Sequence, residues 1–212
     1  YFRGHTDDIS CITSVEKGGR MIVATGQLGK GVTCVWDPLT MAALGAVETK
    51  QKTIQQIAFT GDARLLVTVG SDNGISVVGW ANKRILACAK SDPAVCFGIK
   101  TTFNSNDLSI LAVGDKFLRL WSIKGRNMVS NKVVTTGPKG IRGTVQRFLC
   151  IEKFESISSG AWFAIGCTDG SIYFVKQDVG GGLVGDKEVK ATTRRIQTIA
   201  RHAAGTGGRK SD

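Results

Sequence analysis

Hydrophobic and polar positions along the chain form short apolar runs, and the 3.6-residue period of an amphipathic helix is nearly absent. Clusters of Gly, Asp, Asn or Lys separate the runs. Runs of this length, bounded by turn residues, indicate β-strands. They fall into four groups of four, over residues 1–48, 49–90, 91–135 and 136–191, and a further group begins within 192–212. The pattern therefore predicts an all-β fold of four-stranded units.

The groups share two internal markers. In each, the second run ends on a small residue, any residue and Gly, and the third run carries an aromatic. These aromatics are Trp36, Trp80, Trp121 and Phe174, which lie 44, 41 and 53 residues apart. Four strands repeated about every 40–45 residues are typical of a WD-repeat β-propeller blade. We therefore predict a partial WD-repeat propeller over 1–212, with four blades and the start of a fifth in an incomplete ring.

Polar residues at matching places in the groups predict hydrogen bonds that hold each blade. In propellers with this signature, a His before the first strand, a strand Ser or Thr and a strand Trp hydrogen-bond within the blade, and the matching residues of the first group are His5, Thr25 and Trp36. The resemblance to such propellers therefore implies a buried network of these three residues. An Asp in the turn after the second strand can bond nearby backbone N–H groups. Such turn residues are present in the other three groups: Asp72, Asp115 and Asp169.

Several segments resemble the echinoderm microtubule-associated protein-like family over about residues 1–200. The likeness rests on Gly4–Cys11, Val23–Gln27 and Val35–Asp37, on Ile57–Asp62 and Leu66–Gly70, and on Ala112–Gly114 with Leu120-Trp121. The resemblance implies a non-catalytic cytoskeletal scaffold that binds tubulin or microtubules in the cytoplasm, including a cilium or flagellum. Two departures are Gly79-Trp80, where the family often has Asp-Trp, and a short loop after Gln27.

The net charge of the chain indicates what kind of partner surface it attracts. Lys and Arg number 28 against 17 Asp and Glu, giving a net charge of +11. One face of a propeller collects the loops that enter each blade and the turns after the second strands. On that face the sequence places Lys30, Lys50, Lys52, Lys139, Arg142, Arg194 and Arg195. Such a face attracts acidic surfaces, including tubulin tails. RNA or another multiprotein complex is the alternative, less favoured because the loops show no stacked aromatics.

Other chemistries find little support in the sequence. The six Cys form no CxxC pair, and neither His5 nor His202 lies near paired thiols, so we predict no metal site and no cofactor. His5 beside Asp7 and Asp8 lacks a nucleophile at useful spacing, which predicts no enzyme. Gly205–Ser211 departs from a phosphate-binding loop because Arg209 replaces its second Gly. No apolar run reaches 18 residues, so a membrane span is not expected.

Overall fold

A computed structural model describes residues 4–91, 94–104, 107–132, 147–156, 160–177 and 183–200 of the chain. Within these ranges the backbone forms strands, turns and extended connections, and no helix. The predicted all-β fold is therefore confirmed. Glycine and residues with positive φ occupy the tight turns, as at Gly18 and Gly19, whose φ values of 57° and 72° suit the hairpin between the first two strands.

The described residues form sixteen strands in four sheets, which we call blades 1 to 4. Blade 1 holds β1 (Ile9–Lys17), β2 (Arg20–Gln27), β3 (Val32–Trp36) and β4 (Ala43–Glu48). Blade 2 holds β5 (Ile54–Phe59), β6 (Leu65–Gly70), β7 (Gly74–Gly79) and β8 (Arg84–Lys90). Blade 3 holds β9 (Cys96–Asn104), β10 (Asp107–Gly114), β11 (Phe117–Lys124) and β12 (Asn127–Lys132). Blade 4 holds β13 (Phe148–Ser156), β14 (Gly160–Cys167), β15 (Ser171–Gln177) and β16 (Leu183–Lys190).

Each blade is a simple antiparallel meander in which consecutive strands pair. The first strand of every blade carries one extra residue, a β-bulge, near its start. The bulged residues are Ser10, Gln55, Phe97 and Leu149. A bulge increases the local twist of a strand. Its recurrence at one place gives the four blades a common reference position.

The core lies between blades rather than within them. Ala24 and Val35 of blade 1 pack with Ile54, Leu66 and Val78 of blade 2, and all five are buried. Two similar clusters join blade 2 to blade 3 and blade 3 to blade 4. Burial of apolar area stabilises by about 25 cal/mol per Å². Each blade therefore depends on its neighbours for most of its stability.

The first strands of the blades lie side by side around an open trough of about 910 Å³, which is lined by β1, β5, β9, β13 and residues 197–200. The segment after blade 4 occupies the place of a next first strand. The Cys11 thiol of blade 1 faces the Ile54 carbonyl, and the Cys150 thiol of blade 4 faces the Ile196 carbonyl in the same way. A Cβ added at Gly26 would lie 2.6 Å from Ile54, and one at Gly166 would lie 2.7 Å from Ile196.

The strand registers refine the equivalences expected from the sequence. Counted from the bulges, Trp36 and Trp121 are equivalent, because they pair with Val23 and Ile110. The corresponding residues in blades 2 and 4 are Val78 and Val175. The aromatics Trp80 and Phe174 therefore lie two residues after and one residue before those positions. Trp121 is buried and the other three aromatics are half-buried. The prediction that the four aromatics occupy one repeated position is therefore wrong by two residues for Trp80 and by one residue for Phe174.

Candidate functional site

The connections between strands divide into two faces. The upper face carries the loops that enter each blade and the turns between its second and third strands. The lower face carries the turns between first and second strands and between third and fourth strands. All the sequence-predicted site residues that the structure describes belong to the upper half of the blades, except Trp36, which ends β3 toward the lower face.

His5 and Thr25 meet on the upper side of blade 1. His5 Nε2 and Thr25 Oγ1 lie 2.6 Å apart, and His5 Nδ1 lies 2.9 Å from Gln27 Oε1. Gln27 is 1% exposed, and its Oε1 also accepts a hydrogen bond from the Thr6 backbone N–H at 3.3 Å. Gln27 thus supplies a buried acceptor for this network, in a blade whose turn after the second strand, residues 28–31, contains no Asp. Trp36 pairs with Val23, whereas the residue opposite Thr25 is Cys34.

Blade 2 builds the same kind of network around a glutamine. Thr68 occupies the register position of Thr25, and its hydroxyl donates to Gln51 Oε1 at 2.8 Å. Thr49 Oγ1 donates to the same oxygen at 2.9 Å. Gln51 Nε2 donates to the carbonyls of Thr68 at 3.2 Å and Gly74 at 2.6 Å. The sequence contains no Gly-His here, and Gln51 becomes visible only as a buried polar side chain.

Each of the three turn aspartates forms an ion pair with a Lys or Arg side chain. Lys90 Nζ lies 3.6 Å from an Asp72 carboxylate oxygen, and Lys190 Nζ lies 3.4 Å from Asp169. Arg147 Nε donates to Asp115 at 2.8 Å across the junction of blades 3 and 4. Asp169 also accepts hydrogen bonds from the Ser171 backbone N–H and hydroxyl, both at 2.9 Å, and Asp72 accepts a longer one from the Gly74 N–H at 3.4 Å. The turn carboxylates are therefore neutralised locally.

Three exposed lysines gather where blades 1 and 2 join, and we call Lys30, Lys50 and Lys52 the upper basic cluster. The Thr49 backbone N–H donates to the Gly31 carbonyl at 2.7 Å, which ties the turn of Lys30 to the loop of Lys50. Between Lys50 and Lys52 lies buried Gln51, which anchors that loop. Within the described part of the chain, none of the three ammonium groups forms an ion pair.

The remaining residues predicted for the basic face lie elsewhere. Arg194 and Arg195 are exposed on the segment beyond blade 4, which is held by the Ile196 N–H donating to the Cys167 carbonyl at 3.0 Å. They belong to the upper face but to the opposite end of the blade row from the upper basic cluster. Lys139 and Arg142 fall in 133–146, outside the described residues.

The buried cysteines are poorly placed to react. All six are free, and Cys34, Cys96 and Cys167 are buried. Burial raises the pKa of Cys96 to about 12 and also raises the pKa of Cys34. A thiol with a raised pKa is mostly protonated at neutral pH and is therefore a poor nucleophile.

Two kinds of feature are absent from the described residues. No group of three or more His, Cys, Asp or Glu side chains in this part of the chain is arranged to hold a metal ion. In the same residues, no helix has the length and apolar character that crossing a membrane requires.

Four antiparallel meanders that pack against one another through buried apolar faces give the chain the fold of a partial β-propeller. The crystal structure of the β-propeller domain of Cps50 (Swd1) from Myceliophteria thermophila is similar, with a TM-score of 0.72 and 14% sequence identity. The match covers 92% of this chain and 59% of that chain. At this identity the likeness establishes the propeller fold.

Two curated proteins are similar in sequence. Cilia- and flagella-associated protein 52 from Sus scrofa and from Bos taurus are each 23% identical to this chain over 180 residues. The alignments cover 81% of this chain but only 28% and 27% of the relatives, so the chain spans little more than a quarter of their length. No model of a known protein family matches the chain.

Proposed function

We propose that the chain belongs to a microtubule-associated scaffold, in which a non-catalytic propeller binds tubulin or the microtubule surface. The proposed location is the cytoplasmic cytoskeleton, including the cilium or flagellum. The similarity to cilia- and flagella-associated proteins supports a cytoskeletal role. The resemblance of several sequence segments to the echinoderm microtubule-associated protein-like family supports tubulin as the partner.

The observation that carries the proposal is the upper basic cluster. Its three lysines are exposed, lie on loops held by buried hydrogen bonds, and form no ion pair with a carboxylate among the described residues. Cations held in this way attract an acidic surface without first breaking an intramolecular pair. The turn aspartates leave this attraction intact because Lys90, Arg147 and Lys190 already neutralise them.

The proposal is tested by co-sedimentation of the full-length protein with microtubules over a series of salt concentrations. Reversing four upper-face charges, with Lys50, Lys52, Arg194 and Arg195 each replaced by Glu, should weaken binding about tenfold. Tenfold corresponds to about 1.4 kcal/mol, so each reversal needs to cost only about 0.35 kcal/mol. Doubling the salt should weaken wild-type binding, since screening shortens the range of the attraction.

The pair Lys50→Glu with Lys52→Glu from this set has a matched control of two charge reversals on the lower face, Lys83→Glu with Arg84→Glu, which should leave microtubule binding unchanged. Thermal melting of all variants checks that exposed charge changes leave the fold intact. Absence of pelleting at low salt would contradict the proposal. Tighter binding to an RNA control than to microtubules would favour the RNA-associated alternative instead.

A further inference from the structure

The turns between third and fourth strands form a row along the outer part of the lower face, which we call the lower rim. Its three described tips are residues 37–42 of blade 1, 80–83 of blade 2 and 125–126 of blade 3. Adjacent tips are held side by side by blade packing. A Cβ at Gly45, just after the first tip, would lie 3.1 Å from the Trp80 carbonyl oxygen of the second. Strands β8 and β12, which follow the second and third tips, are also in contact.

The blade 1 tip presents an apolar side chain on a well-held backbone. Leu39 is 87% exposed and Met41 is 37% exposed. Asp37 is only 5% exposed, and its carboxylate accepts hydrogen bonds from the Leu39 N–H at 2.9 Å, the Thr40 N–H at 3.2 Å and Arg20 Nη2 at 2.7 Å. The Met41 N–H closes the turn by donating to the Asp37 carbonyl at 2.8 Å. A leucine held out in this way loses little backbone entropy when a partner covers it.

The next two tips are basic. Lys83 and Arg84 adjoin the blade 2 tip, Lys124 and Arg126 adjoin the blade 3 tip, and all four are exposed. Among the described residues of these three tips the sole carboxylate is Asp37, which is buried and paired with Arg20. The exposed carboxylates Glu16, Asp62 and Asp107 flank the inner turns of the same face. The lower rim therefore runs from an apolar anchor to a band of positive charge.

We propose that the lower rim is a docking surface for an acidic amphipathic segment of a partner protein. A bulky apolar residue of that segment would cover Leu39 and Met41, and carboxylates along the segment would face the basic tips of blades 2 and 3. Complementary charge fixes orientation and speeds association, whereas the buried apolar contact supplies most of the affinity. This surface is separate from the upper basic cluster and does not depend on it.

The test uses fluorescence anisotropy with the full-length protein and a labelled synthetic peptide. The peptide has leucine and phenylalanine near one end and glutamates along the rest. We expect saturable binding that Leu39→Ser weakens about tenfold, because the apolar anchor is lost. Lys83→Glu combined with Arg84→Glu should weaken it by a similar factor. Lys50→Glu with Lys52→Glu is the control on the upper face and should change nothing.

Three results would overturn the inference: no binding of the peptide, equal binding of a scrambled peptide of the same composition, or equal affinity of the Leu39→Ser protein. Vesicles rich in anionic lipid form a further arm, and their displacing the peptide from the lower rim would assign the surface to a membrane. Because Leu39 is almost fully exposed, Leu39→Ser should keep the wild-type melting temperature. Microtubule co-sedimentation of the lower-rim variants separates this inference from the proposed function.

Discussion

Gln51 offers the sharpest test of how a blade without the Gly-His signature is held together. Its side chain makes four hydrogen bonds and is 6% exposed, and Thr68, its main partner, is fully buried. In Gln51→Ala, the Thr68 hydroxyl and the Gly74 carbonyl lose these bonds. A buried polar group without a partner costs about 1–3 kcal/mol, so the loss should be about 2–4 kcal/mol.

The assay is urea unfolding followed by tryptophan fluorescence, with calorimetry as a second measurement. For a chain of this size, a loss of about 3 kcal/mol lowers the melting temperature by about 6–12 °C. The matched control is Gln197→Ala, which removes the same side chain from an exposed position and should stay within about 0.5 kcal/mol of wild type.

A second variant replaces the Gln51 side chain with another hydrogen-bonding group instead of removing it. Gln51→His places in blade 2 the residue type that contacts Thr25 in blade 1, so it should retain more stability than Gln51→Ala. If Gln51→Ala unfolds at the wild-type urea concentration, the buried network contributes nothing, and the reasoning from unsatisfied polar groups is refuted for this blade.

Two further predictions concern titrating groups. Hydrogen bonds from Arg20 and from the Leu39 and Thr40 N–H groups hold the pKa of Asp37 below its ordinary value, so its contribution is present at neutral pH and is lost as the pH falls through the lowered value. Urea melts from about pH 5 to about pH 3 should therefore show a steeper loss for wild type than for Asp37→Asn, and parallel curves would contradict this. Because burial raises the pKa of Cys96 to about 12, a thiolate-directed reagent at about pH 8 should label exposed Cys88 and leave Cys96 unmodified in the folded protein. Mass spectrometry of the labelled peptides checks this, and early modification of Cys96 would show that the core opens locally.

Much of the fold could be predicted because strand length and turn residues are local properties. The runs of apolar residues that mark the strands of blade 2, for example, need no knowledge of distant contacts. The small offsets at Trp80 and Phe174 could not be predicted, since the equivalence of positions depends on where each bulge falls. A bulge shifts pairing by one residue without changing the apolar pattern.

The site residues could be predicted only where their motif lies in one continuous stretch of the sequence. Gly4-His5 points to the contact with Thr25, but Gln27 and Gln51 belong to no familiar motif and take their roles from burial. The partners of the turn aspartates are also distant, since Asp115 meets Arg147 across 32 residues. The lower rim could not be predicted from the sequence, because its tips come together only through blade packing, which no local pattern encodes.

The contact between Gly26 and Ile54 has a consequence for biosynthesis. Blade 1 ends at Glu48, yet its second strand is covered only when Ile54 of the following blade arrives, and Ile196 stands in the same relation to Gly166 of blade 4. A ribosome adds about 5–20 residues per second, so each finished sheet waits while its successor's first strand is made. Nascent blades therefore leave the ribosome with one apolar face still uncovered. A substitution that enlarges Gly26 should thus expose the growing chain to chaperones before any effect on the finished protein is seen.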